Sequence, residues 1–474
     1  MSTRLDQVVK ANDIRGEVPD QLDAEVVRAL GSAFAQVVVL PEGEAGVVVG
    51  HDMRTSSPEL ADAFVAGVRD QGVDVTAIGL CSTDELYYAA GSLRLAGAMV
   101  TASHGPASTN GIKLCRSGAR PVGIDTGLAE IRDLARWSLE RSAVHPPSER
   151  AAPRRGTFDR ADLLERYAAH LHSLVDLSEV RPLRVVVDAG SGMAGRTAPA
   201  VLPAHLPVLM VPLHHELDGT FPHRGPDPLD PANLRLLQDA VLEHGADLGL
   251  AFDGDADRCA VVDETGRPVA PGHIAALIAR SVVAAEVAAG HTPAEVSVVH
   301  GSVASRVLPE AIAALGARAV RSPVGHSFVK ELMARHHAAF GAEHSAHYYF
   351  RDFWHADSGM LAALHVLAAL GHQPLPLSRL VGDGGGYVAS GEISSVVADV
   401  GAATARVRDW GLRQGLEPDG FDGLALAHEQ QPSWWLSLRP SNTEALLRLN
   451  VEARDPGTME QVRDTVLGLV RQET

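Results

Sequence analysis

One programme of strands and helices runs through the chain three times, and it restricts the fold more than any other feature. A Val-rich strand ends in glycine or small polar residues at VVVGHD (47–52), VVVDAGSG (185–192) and VSVVHGS (296–302). A helical stretch and a second short strand follow, at VDVTAIG (73–79), LPVLMVPL (206–213) and ARAVRSP (317–323). Another amphipathic helix comes next, then a short apolar strand running straight into a polar loop. The three loops are TASHGP (101–106), DGDADR (253–258) and GAEHSAH (341–347). Near-continuous apolar strands alternating with helices predict mostly parallel sheets covered on both faces. Ligands of such sheets collect beyond the carboxyl ends of the strands, where all three loops fall.

The expected fold class is therefore α/β, with three similar α/β domains built on mixed, mostly parallel sheets. The last part of the chain leaves the programme. Its WWLSLRPSNTEALLRLNVEAR reads as strand, polar loop and strand, which suggests a smaller α+β domain. Linker compositions fit this division: HPPSERAAPRRGT (145–157) and HQPLPLSRLVGDGGG (372–386) are rich in Pro, Ser, Arg or Gly. The expected domains are 1–152, 153–266, 267–384 and 385–474. A length of 474 residues suits such a count, at roughly 150 residues per domain.

Composition narrows the function classes. Hydrophobic residues at 46% and charged residues at 21% are usual for a soluble globular protein. A formal charge of -18 argues against nucleic acid as a partner, since phosphate backbones need an excess of Lys and Arg. A small phosphorylated ligand needs only a local cluster and stays open. Cys81, Cys115 and Cys259 are few, scattered and odd in number, so a disulfide framework is not expected and a reducing cytoplasm is. The start, MSTRLDQVVKANDIRG, has no apolar core of a signal peptide. The stretch HIAALIARSVVAAEVAAG carries Arg280 and Glu286 and reads as a buried helix, not a membrane span.

Four loops and one helix carry candidate chemistry. In DGDADR, Asp253, Asp255 and Asp257 alternate about Gly254. Three carboxylates this close repel one another unless a cation lies between them, and oxygen ligands on a tight loop suit a hard ion such as Mg²⁺. An EF-hand is excluded because Arg258 stands where that loop needs glycine, and because strands flank it. A solvated acidic turn is the other reading. In TASHGP, Ser103 has His104 beside it and Lys113 a few residues on. A serine hydroxyl needs a base or a metal to become nucleophilic. Neighbours on an extended chain point opposite ways, so His104 is not automatically that base, and a plain turn is the alternative. GAEHSAH sets Glu343, Ser345 and His347 together. An acceptor and a donor two residues apart suit adjacent hydroxyls of a sugar; a turn with Ser345 as helix N-cap is equally consistent. RPSNT offers donors at Arg439, Ser441, Asn442 and Thr443, either a phosphate cradle or a solvent-facing hairpin. In GHSFVK, His326 and Lys330 are four apart and share one helical face.

Taken in order, these motifs resemble those of the α-D-phosphohexomutase superfamily, in its phosphomannomutase/phosphoglucomutase branch. TASHGP is similar to the family's phosphoserine loop TASHNP, and DGDADR matches its metal loop DGDxDR. GAEHSAH looks like its sugar loop GExSxH, RPSNT its phosphate loop, and KANDIRG its near-terminal KAYDIRG, with Arg15 in place. The resemblance covers the whole chain. It implies four domains around a central cleft, carrying in turn the phosphoserine, the metal, sugar recognition and phosphate binding.

The activity implied is a reversible phosphoryl shift on a hexose phosphate, mannose or glucose, through a bisphosphorylated intermediate. Ser103 would carry the phosphoryl group. Mg²⁺ would be held by Asp253, Asp255, Asp257 and a Ser103 oxygen, with Arg258 orienting the metal loop. Lys113, His326 and Arg15 would assist proton and charge movement, and His104 would support the serine loop. Glu343, Ser345, His347 and Lys330 would meet the sugar. Arg439, Ser441, Asn442 and Thr443 would hold the other phosphate, and hexose 1,6-bisphosphate would serve as activator. A relative that binds sugar phosphates without turnover, or acts on a specialised sugar, is the alternative. Three positions depart from the pattern. Gly105 replaces an asparagine, Asn12 replaces a tyrosine expected near the phosphoserine, and Ala445 stands where proline is frequent.

Overall fold

The computed structural model describes residues 2–144, 154–382, 386–430, 433–440 and 446–472. Its first three sheets realise the repeat. In each, the first strand of the programme lies between the second and third, all three parallel. They are Val75–Leu80, Val47–His51 and Ala96–Val100 in the first sheet, and Val208–Leu213, Leu183–Asp188 and Leu248–Phe252 in the second. Arg318–Ser322, Ser297–Gly301 and Phe340–Ala342 make up the third. The third strand then reverses through the polar loop into an antiparallel neighbour: Thr109–Arg116, Cys259–Asp263 and Tyr348–Phe350. Each polar loop is thus the turn from the last parallel strand into that antiparallel one. Its backbone is held at both ends by a sheet, which makes it a rigid platform for side chains.

The first sheet gains Ile14–Glu17 on Thr109–Arg116, so KANDIRG runs beside the serine loop. Its opposite edge is Phe158–Arg160, which lies beyond the expected boundary at 152 and pairs with Val75–Leu80. The fourth sheet is wholly antiparallel, with Trp434–Pro440 and Leu446–Ala453 central. The long apolar helix is Pro271–Ala288. It packs on Val307–Ala314 and Gly359–Gly371 and buries His273 through Ala279 in the core, as its interior charges led one to expect. All three cysteines are free and buried.

The first three sheets meet at the start of the helix Thr83–Leu93. Ser82 caps it, accepting from the Glu85 N–H at 3.2 Å. Asp84 beside it is fully buried and ties three domains together. Its Oδ2 accepts from Tyr167 Oη at 2.7 Å and from Ser358 Oγ at 2.6 Å, while Ser82 Oγ donates to Oδ1. Thr83 Oγ1 donates to Asp255 Oδ2 at 2.6 Å, so the same helix turn supports the acidic loop.

Glu85 is different. It is 1% exposed, and neither carboxylate oxygen has a hydrogen-bond partner among the described residues. Burial pushes its pKa up to about 8, aided by neighbouring Asp84. The folded chain therefore keeps a proton that the unfolded chain releases near pH 4.5, and stability falls as pH rises between those values. Glu85→Gln should match the native protein near pH 5. At pH 8.5 it should be more stable by a few kcal/mol, the size such a shift implies. Urea unfolding at the two pH values measures this; an equal effect at both would contradict it.

Candidate active site

The three hairpin turns converge on one cleft. Asp13, Arg15, Tyr87, Ser103, Lys113, Asp257, Arg258, His326, His347 and Asp357 line it. Ser103 adopts a left-handed backbone, φ 51°, which a non-glycine residue takes only when its surroundings impose it. Its N–H donates to Thr101 Oγ1 at 2.9 Å. Its hydroxyl donates to Asp253 Oδ2 at 2.8 Å, across the seam between the first two domains.

The acidic loop is wholly buried: Asp253, Asp255 and Asp257 are each 1% exposed or less. One oxygen from each can lie within 4.8 Å of the others. Lys113 Nζ, from the strand after the serine loop, bonds Asp255 Oδ2 at 2.7 Å and also Asp257 Oδ2. A hard cation fits this donor set: Lys113 takes one oxygen of each carboxylate, Asp255 Oδ1 is left without a hydrogen-bond partner among the described residues, and Asp257 Oδ1 has only His347 Nε2, at 3.5 Å. Burial, then repulsion from Asp257 and Asp255, pushes the Asp253 pKa well up. Asp257 moves well down despite burial, because Lys113 and His347 hold its charge.

Arg258 joins the loops. Its backbone N–H donates to Asp253 Oδ1 at 3.2 Å, and its guanidinium reaches His104 Nδ1 at 2.8 Å and His347 Nε2 at 3.2 Å. Arg258 and burial hold His104 well below the usual imidazole pKa. Its Nδ1 is therefore an acceptor already engaged by Arg258, and it stands 3.3 Å from Ser103 Oγ.

His326 and Lys330 share a face of the helix His326–His336, as their spacing required. Lys330 pairs with Asp357 at 2.7 Å and sits 3.8 Å above the Tyr87 ring. Burial and Lys330 lower the His326 pKa to about 4. Arg15 donates to Asp13 Oδ2 at 2.8 Å. Despite its burial, Asp13 is kept below its ordinary pKa by Arg15, His326 and Lys113.

GAEHSAH forms a turn between two strands, not a helix start. Ser345 Oγ lies 2.9 Å from His347 Nδ1. Glu343 accepts from the Gly325 N–H at 2.9 Å and from Tyr349 Oη at 2.6 Å, so its carboxylate also fixes the turn that starts the His326 helix. Arg439 does not line the cleft around Ser103. It pairs with Asp422 at 3.2 Å, and Asp422 accepts from the Val324 N–H at 2.9 Å. Ser441, Asn442, Thr443 and Ala445 lie outside the described residues.

Asn12 faces the third domain, where its Oδ1 accepts from Ser327 Oγ at 2.5 Å. Sequence reasoning passed over Asp13, Tyr87 and Asp357. Asp13 was legible as the acid inside KANDIRG. Tyr87 and Asp357 carried no local signal, because only the meeting of domains makes them neighbours. Arg54, buried beneath the serine loop, was also passed over.

Comparison with known proteins agrees with this geometry. Models of phosphoglucomutase/phosphomannomutase domains match in order: alpha/beta/alpha domain I at residues 6–138, domain II at 165–266, domain III at 270–384 and the C-terminal domain at 392–469. A protein of Xanthomonas campestris pv. campestris described as "Phosphohexose mutases" is 41% identical over 96% of each chain. A phosphomannomutase of Salmonella typhimurium is 38% identical over 98% of each. The crystal structure of a phosphoglucomutase/phosphomannomutase family protein from Burkholderia thailandensis superposes with a TM-score of 0.84. It is 28% identical, covering 98% of this chain and 97% of the other. This chain belongs to the phosphoglucomutase/phosphomannomutase family, and it is a phosphohexomutase.

Proposed function

We propose that the chain interconverts the 1- and 6-phosphates of a hexose, mannose or glucose, with Ser103 as phosphoryl carrier. The observation that carries this reading is the Ser103 hydroxyl, held in a left-handed turn and aimed 2.8 Å from Asp253 Oδ2. A phosphoryl group on Ser103 would lie among Lys113, Arg258 and Arg15. Asp253, Asp255 and Asp257 would hold Mg²⁺. That ion, when bound, offsets charge on the transferring phosphoryl group.

In the forward half, a free hydroxyl of the sugar phosphate attacks the phosphorus on Ser103. The new P–O bond forms as the P–Oγ bond breaks, giving a hexose 1,6-bisphosphate and a Ser103 Oγ that keeps the electron pair of the broken bond and takes up a proton from water in the cleft. The proton of the attacking hydroxyl goes to His326. Its imidazole is neutral at physiological pH, and its buried Nδ1 has no partner among the described residues. Phosphate dianions arriving beside it raise its basicity. Lys113 and Arg15 balance the moving charge. Glu343, Ser345, His347 and Lys330 meet the sugar hydroxyls, and Arg439 with Ser441, Asn442 and Thr443 grips the distal phosphate. After the intermediate turns over, Ser103 takes back the other phosphate. A trace of hexose 1,6-bisphosphate primes the serine.

Three outcomes test the reading. With Mg²⁺ and a trace of hexose 1,6-bisphosphate, mannose 1-phosphate or glucose 1-phosphate should be converted to its 6-phosphate. Ser103→Ala should lose at least about 10³-fold in kcat; conversion unaffected by that substitution would sink the mechanism. Separately, Mg²⁺ at saturating concentration should raise the Tm by a few degrees through binding the native state alone. Asp255→Asn should abolish the rise. Finally, a Cβ at Gly105 would stand 2.7 Å from Thr109 Oγ1 and 3.0 Å from the Ala102 carbonyl. Gly105→Asn should therefore lower kcat, and adding Thr109→Ala should recover part of the loss. A full gain from Gly105→Asn alone would show that crowding is not what position 105 avoids.

A further inference from the structure

Arg54 follows the strand Val47–His51, the first strand of the first repeat, and is 1% exposed. Its guanidinium uses every donor it has. Nη2 donates to the carbonyls of Ser103 at 2.8 Å and Gly105 at 2.7 Å, and Nη1 to those of Pro106 at 2.7 Å and Thr109 at 3.1 Å. Nε donates to Asp52 Oδ2 at 3.1 Å. Four of its five N–H groups therefore end on the backbone of the serine loop. The buried residues of this turn, Ser103 and Gly105, must find partners for their carbonyls, and Arg54 supplies both.

The clamp is itself braced. Asp52 Oδ1 accepts from the Arg54 N–H at 3.0 Å and from Ser57 Oγ at 2.5 Å. Asn110, just beyond the loop, donates to Ser57 Oγ at 2.9 Å and Ser56 Oγ at 2.8 Å. The second domain closes the remaining side. The Phe221 ring lies 5.0 Å from the guanidinium carbon, and a Cβ on Gly219 would come within 2.5 Å of Arg54 Cα.

We propose that Arg54 is a positioning residue for phosphoryl transfer. By fixing the carbonyls of the 103–109 turn, it holds Ser103 in its left-handed conformation and sets the direction of the hydroxyl. The link to rate rests on the phosphoserine reading above; the clamp itself does not. In-line transfer tolerates little misplacement of the reacting oxygen, whereas substrate binding relies on other residues. Lysine keeps the charge but donates from one point and cannot span four carbonyls.

Arg54→Lys is the test, with the wild-type protein measured beside it. The expected result is a kcat lower by about tenfold or more with KM within about twofold. Amide hydrogen exchange should also become faster at 103–109 and stay unchanged at 253–258. Unchanged kcat and exchange, or a rise in KM alone, would overturn the proposal. So would faster exchange throughout the first sheet, which would mark a general structural role. If Arg54→Lys does not fold, Phe221→Leu removes the ring over the guanidinium and is judged by the same pattern. Should the wild type neither turn over hexose phosphates nor become phosphorylated on Ser103, the mutase reading fails. The exchange comparison would still decide whether Arg54 holds the loop.

Discussion

Asp253, Asp255, Asp257, Asp357 and Glu343 are all withdrawn from solvent around one cleft. Carboxylates at that density persist only if cations are built in among them. Lys113 answers Asp255 and Asp257, Lys330 answers Asp357, and Arg258 lies 3.5 Å from Asp253. Lys113 comes from a different domain than the carboxylates it meets, whereas Lys330 and Arg258 share a domain with theirs. For Asp255 and Asp257, charge pairing and domain assembly are thus one problem. Even so, Asp255 Oδ1 has no hydrogen-bond partner among the described residues, and Asp257 Oδ1 has only His347 Nε2, at 3.5 Å. The deficit lies in the same acidic loop whose Asp253 accepts from the Ser103 hydroxyl.

The repeat explains why chemistry from three domains can meet at all. In each sheet the last parallel strand ends in a turn that reverses into an antiparallel neighbour. That device fixes a short loop at both ends. An isolated antiparallel bridge between Arg258 and His347 then joins the second loop to the third, and Ser103 to Asp253 joins the first to the second. Helix starts reinforce the meeting point. The turn at 82–85 reaches Asp255, and Gly359 packs where a Cβ would press the carbonyls of Ala256 and Arg258. A hydroxyl, an acidic triad and a histidine gain their geometry from contacts between domains, some through side chains and some through backbone.

Much of this was legible in the sequence, for reasons that can be named. The strand periodicity exposes the repeat, and the repeat places TASHGP, DGDADR and GAEHSAH in equivalent positions at strand ends. The spacing of His326 and Lys330 gave their shared helical face. Tyr87 and Asp357 were not legible, since neither stands in a motif and both matter only after the third domain docks. Arg54 was hidden for another reason: GHDMRTSS shows a charged residue at a strand end, which more often faces solvent. Its work is done on backbone carbonyls, which no side-chain pattern announces.

The departures from the family pattern look different once their contacts are known. Asn12 spends its carbonyl oxygen on Ser327 in the third domain, next to His326. Its substitution therefore bears first on how the helix carrying His326 and Lys330 docks, and less on the serine loop. At Gly105 a Cβ would stand 2.7 Å from Thr109 Oγ1 and 3.0 Å from the Ala102 carbonyl, a tight fit, and its own carbonyl accepts from Arg54. A side chain there would press on the same turn that Arg54 holds. Both positions thus act on the aim of groups in the cleft while leaving the groups themselves in place. Such changes alter how the serine loop and the helix carrying His326 and Lys330 line up in the cleft.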